Sequence, residues 1–139
     1  MADFCITGYP RSRTAWFSAF MSCGDVFCYH ENKIFNSNAK YIGFSGSNFS
    51  IQPIECKKLI IIERNVDDVR SSLRKLTPLV DIIIEKIDLS KLDGLRIKYN
   101  DINHKLKEIW EYCVPEPFPE ERAKLFINMK IEQNYSYLQ

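Results

Sequence analysis

The sequence lacks the features that would place it in several large classes. None of its five cysteines (Cys5, Cys23, Cys28, Cys56 and Cys113) stands in a C-x-x-C pair, which fits neither a disulfide framework nor a common zinc site and favours a reducing compartment. No basic stretch followed by a long apolar run opens the chain, and no segment approaches the ~18 consecutive apolar residues that span a bilayer. The expectation is a soluble cytoplasmic protein, not exported, with no membrane partner and no metal. An excess of one charge is lacking too. The 19 Lys and Arg face 18 Asp and Glu, so no overall field draws the chain to nucleic acid. Repeats, low-complexity tracts and domain linkers are absent, and 139 residues suit a single domain, 1–139.

What is present is an alternation of short apolar runs with helical patterns. Ala2 to Thr7, Val26 to Tyr29 and Lys40 to Phe44 read as strands, the first broken by Gly8 and Pro10. Leu59-Ile60-Ile61-Ile62 is β-branched without alternation, as suits a parallel strand covered on both faces near the sheet centre. Asn65 is placed to cap the next helix, with Asp67 and Asp68 in its first turn and Val69, Leu73 and Leu76 as its apolar stripe. Leu79 to Ile87 predicts a helix, Gly94 to Tyr99 a strand, Asn103 to Tyr112 a helix and Glu120 to Met129 a last one. The fold expected is α/β, a three-layer arrangement of a parallel sheet with helices on both faces and ligands at the carboxyl ends of the strands.

The segment Ile6-Thr7-Gly8-Tyr9-Pro10-Arg11-Ser12-Arg13-Thr14-Ala15-Trp16 joins the first strand to the first helix. Backbone N–H groups, the positive end of a helix, two guanidinium groups and two hydroxyls converge there, a setting for an anion. The segment lacks the second glycine and the lysine of G-x-x-x-x-G-K-[ST], which counts against an ordinary ATPase or kinase. Trp16, followed by more apolar helical positions, reads as core, and Tyr9 as a residue bordering a ligand or simply exposed.

The Gly-Tyr-Pro-Arg-Ser-x-Thr-x-Trp string resembles the 5′-phosphosulfate loop of sulfotransferases, with Arg11, Ser12, Thr14 and Trp16 in register. After the Leu59–Ile62 strand, Arg64, Asp68 and Ser72 reproduce the Arg-x-x-x-Asp-x-x-x-Ser spacing of the same family's 3′-phosphate element. Leu95 to Ile102 is similar to the strand and "Tyr-Glu-Asp-Leu" region that follows, with Asn100 for the acidic residue. The nearest likeness is to the short sulfotransferase-like proteins of bacteriophages, which share the Arg-Ser-Arg-Thr-Ala-Trp loop and a His-Glu pair after the second strand. The resemblance spans roughly residues 4 to 113 and implies a P-loop nucleoside triphosphate hydrolase-like fold of the sulfotransferase type. It also implies a donor, 3′-phosphoadenosine 5′-phosphosulfate. Arg11, Ser12, Arg13, Thr14 and Ala15 would meet its 5′-phosphosulfate, while Arg64 and Ser72 would hold the 3′-phosphate through charge-assisted contacts. The cytoplasm concerned would be that of a host cell if a phage encodes the chain.

Sulfuryl transfer needs a base for the acceptor proton and cations for the developing charge. Glu31 is the first candidate base and His30 the second, with Arg11 on the same rim as the cation; a strand cap and a charge partner for Arg11 or Arg13 are the bland alternatives. Arg13 stands where the family usually has glycine, so it either blocks backbone approach to the phosphate or adds a guanidinium. Ser45, Ser47 and Asn48 read as turn formers with a lesser claim on a ligand, and His104 and Lys105 as solvated. The late glycine- and lysine-rich loop of the family is missing, and acceptor-binding segments are reduced to residues 32–56 and the tail. Three readings stay open: a compact sulfotransferase acting on a hydroxyl or amine, a non-catalytic binder working through a host protein partner or as a homo-oligomer, and an atypical nucleotide kinase.

Overall fold

The computed structural model describes residues 1–31 and 37–131. Five strands, β1 (Phe4–Gly8), β2 (Val26–His30), β3 (Tyr41–Ser45), β4 (Leu59–Glu63) and β5 (Leu95–Lys98), form one all-parallel sheet in the order β2-β3-β1-β4-β5. The fold is α/β with helices on both faces. β1 is central and fully buried, and the β-branched run of β4 lies beside it in the register Cys5↔Leu59 to Gly8↔Ile62.

Side-chain alternation with period two divides the core. Phe4, Ile6, Ile60 and Ile62 face α1 (Thr14–Met21), α4 (Ile102–Cys113) and α5 (Glu120–Phe126), where Trp16, Phe20 and Trp110 fill the space. Cys5, Leu59 and Ile61 face the opposite way, toward the side that carries α2 (Val66–Arg74) and α3 (Val80–Glu85), whose Val69, Leu73, Val80 and Ile84 are buried together. Each expected element is found, with ends shifted by at most three residues, as helix fraying and short strands lead one to expect. Ala2 is the exception: it makes only an isolated bridge to Cys56.

Two details fix the rim where the strands end. Ser18 Oγ of α1 donates to Cys28 O at 2.8 Å and Ser22 Oγ accepts from Cys28 N at 2.9 Å, stitching the outer edge of β2 to α1. Thr7 Oγ1 donates to Gly46 O at 2.7 Å, and Gly46 N donates to Ile6 O at 3.0 Å, tying the loop after β3 to the end of β1. Of the segments expected to meet an acceptor, residues 32–56 and the tail, 32–36 and 132–139 lie outside the described residues.

Candidate functional site

The loop from Gly8 to Arg13 turns sharply because Arg11 (φ 68°) and Arg13 (φ 66°) both adopt the left-handed conformation, a strained choice for residues with a Cβ and one concentrated at functional sites. Gly8 lets the loop fold this closely: a Cβ there would sit 2.9 Å from Ile62 O. α1 then starts at Thr14 with no side-chain cap and no acidic residue in its first turn. The contrast with α2 is informative, since Asn65 Oδ1 accepts from Asp67 N at 2.8 Å and Asp68 N at 3.4 Å there. One helix start is closed by its own sequence, and the other leaves its positive end to a partner.

Beside the start of α1 lies a cleft of about 580 Å³. Arg11, Arg13, Thr14, Ala15, His30, Arg64 and Ser72 all line it. Residues distant in sequence are joined: Arg11 Nε donates to Ser72 Oγ at 2.8 Å, and Arg64 Nη1 donates to Arg11 O. The guanidinium of Arg64 lies 4.2 Å from the Tyr99 ring centroid. The loop after β1 and the β4–α2 element thus form one structure.

Arg13 lines the cleft and also has partners of its own. Its guanidinium lies 4.0 Å over Trp16 and donates to Asn103 Oδ1 at 2.7 Å, so the side chain is drawn toward α4 while its backbone adopts the conformation glycine favours. Burial lowers its pKa from the ordinary arginine value. Ser12 is fully buried, and its Oγ has no hydrogen-bond partner among the described residues. Trp16 is core, stacked on Phe20 at 5.0 Å with Nε1 donating to Phe126 O at 2.9 Å, yet one edge reaches the cleft.

Glu31 does not line the cleft. Its Oε1 accepts from Ser47 N at 3.3 Å and Ser47 Oγ at 3.4 Å, and lies 3.6 Å from His30 Nε2. Ser45 is committed to Thr14 O at 2.7 Å, and Asn48 O accepts the turn bonds of Ile51 and Gln52. Tyr9 packs against the core on the α2 side, and His104 and Lys105 are exposed. Asp68 gives its N–H to Asn65 and lines a neighbouring hollow instead.

No protein-family model, curated protein or solved structure matches the chain. The chemistry of the cleft has to speak for itself, and two further cations belong to it: Lys75 and Lys130. Lys75 sits three positions after Ser72, so helical spacing alone could have placed it on the same face. Lys130 had no such signal, because it depends on the path of the chain after α5. Of the described residues lining the cleft, five are cationic and none is a carboxylate, in a chain whose net charge is only +1.

Proposed function

We propose that the chain binds a nucleotide phosphorylated at two positions and transfers a sulfuryl group from 3′-phosphoadenosine 5′-phosphosulfate to a hydroxyl or amine acceptor. The observation that supports this reading best is the joining of Arg11, Ser72 and Arg64 in a cleft walled by cations, which suits a ligand with several negative charges. The uncapped start of α1 adds backbone donors that a phosphosulfate would satisfy. In this reading the sheet is of the P-loop type, with the anion loop following the central strand.

The 5′ group would sit against the α1 amides, Arg11, Ser12 and Thr14, and the 3′-phosphate between Arg64 and Ser72. The acceptor oxygen or nitrogen attacks sulfur, the bond from sulfur to the bridging phosphate oxygen breaks, and the acceptor proton passes to the His30–Glu31 pair. Arg11 balances charge on the leaving bisphosphate. A magnesium-dependent kinase fits less well, because that ion favours carboxylate oxygens and the described lining residues supply no carboxylate.

Titration calorimetry with 3′-phosphoadenosine 5′-phosphate, set against ATP with magnesium, tests the proposal. Saturable binding of the bisphosphate, at least tenfold tighter than ATP, is expected. Tighter binding of ATP with magnesium, or binding of neither, would overturn it; the second result would favour action through a protein partner.

A further inference from the structure

The cleft has two unlike halves. Toward β4 and α2, Arg11, Ser72 and Arg64 are joined to one another, and Lys75 follows α2 into the same wall. Toward α1 and α5 the lining is largely apolar, with Trp16, Ile127, Met129 and Ile131, and its cations are Arg13 and Lys130. Trp16 Nε1 donates to Phe126 O at 2.9 Å, which ties the end of α5 to α1, and Ile127 and Ile131 pack on the core that contains Trp16. An aromatic ligand entering that half would not meet the indole. Trp16 is stacked on Phe20, with centroids 5.0 Å apart and planes 18° from parallel, and the Arg13 guanidinium lies over the ring at 4.0 Å. Two groups cannot share one face at these distances, so both faces of the indole are taken. What the cleft meets instead is the guanidinium, held by the Nη1 bond to Asn103 Oδ1 at 2.7 Å and by the indole beneath it. A guanidinium is planar and weakly hydrated, and nucleobases stack on such planes.

We infer that the half of the cleft between α1 and α5 is a nucleobase subsite with Arg13 as its floor: the heterocycle stacks on the guanidinium, and Ile127, Met129 and Ile131 surround its edge. The inference rests on the nucleotide reading above and gives Arg13 a part separate from the phosphates, whose donors come from the start of α1 and from the α2 side of the cleft. Because Asn103 and Trp16 hold the guanidinium before any ligand arrives, little ordering cost is left to set against the stacking. The same arrangement accounts for a bulky residue at a left-handed position (φ 66°). The backbone of Arg13 bends as a glycine would, while its side chain covers the indole and supplies the platform.

AMP and ribose 5-phosphate differ by the base and carry neither sulfate nor 3′-phosphate. Comparing their affinities therefore gives a result that stands whichever way the bisphosphate titration falls. The wild type should bind AMP about tenfold tighter than ribose 5-phosphate, in keeping with the worth of one stacked base. Arg13→Lys keeps the charge but loses the plane, so most of that advantage should vanish while the affinity for ribose 5-phosphate stays the same. Equal affinities in the wild type, or no binding of either ligand, would overturn the inference. So would an equal loss for both ligands in Arg13→Lys, which would make Arg13 a phosphate contact, or no loss for either. Should that variant fail to fold, the methyl signal of Met129 in the wild type, assigned with Met129→Leu, decides. AMP should shift it through the ring current of the base and ribose 5-phosphate should not; the same response to both would overturn the assignment.

Discussion

Arg11 and Arg64 combine two properties that substitution can separate. Arg64→Ala should weaken bisphosphate binding by about 1.5–3 kcal/mol, the worth of a charge-assisted hydrogen bond, as read by calorimetry. At Arg11 the left-handed backbone (φ 68°) adds a second effect. Arg11→Gly and Arg11→Ala should lose binding alike, yet the glycine variant should be about 1 kcal/mol more stable to urea, because only alanine keeps the conformational penalty. Equal stabilities would mean that the loop relaxes on losing the guanidinium. These two arginines and Ser72 were marked in the sequence by the resemblance of two short strings to one family's motifs, and a helix and a tight loop each hold such residues at fixed offsets. The turn of Glu31 away from the cleft was not: it depends on Ser47 and Gly46, brought to β2 by pairing with β3.

At the scale of elements, α1 follows the Gly8–Arg13 loop and depends on a distant residue for its other end. It has no basic residue in its last turn. Instead Arg122 of α5 donates through Nε to Phe20 O at 2.9 Å and through Nη2 to Ala19 O at 2.7 Å and Ser22 O at 3.0 Å, with its guanidinium 4.4 Å from the Phe126 ring centroid. Arg122→Ala should therefore cost about 1.5–3 kcal/mol of stability in a thermal or urea melt, with affinity per folded molecule little changed. A loss of affinity larger than the loss of stability would mean that the cap also sets the angle of α1. The elements themselves were readable because β4 is a pure β-branched run and α2 carries its cap and stripe in one short stretch. The Arg122 cap was not, since nothing local links residue 122 to residue 20.

For the whole molecule, burial of thiols sets an alkaline limit. Burial pushes the Cys113 thiol above the reach of ordinary pH and raises that of Cys28 as well, while both ionise near 9.0 once exposed. The folded pKa exceeds the unfolded one, so the stability is fully present below pH 9 and is lost as pH rises beyond it. Each thiol should contribute a slope of about 1.4 kcal/mol per pH unit there. Urea melts between pH 8 and 10 should show the decline, and Cys113→Ala should flatten it; an identical slope in that variant would assign the decline to other groups. The parallel α/β class followed from the alternation of elements. The strand order, with β1 rather than β4 in the centre, did not, because long-range pairing leaves no mark on local periodicity.

The reach of Arg122 also sets a schedule for the chain during its synthesis. Residues 19 to 22 are made early, but their cap arrives about 100 residues later, a delay of about 5 to 20 s at ordinary translation rates. Trp16 waits still longer for Phe126. A nascent or prematurely terminated chain ending before residue 122 would therefore carry the Gly8–Arg13 loop on an unfinished helix, so that the loop takes its final setting only after α5 has emerged.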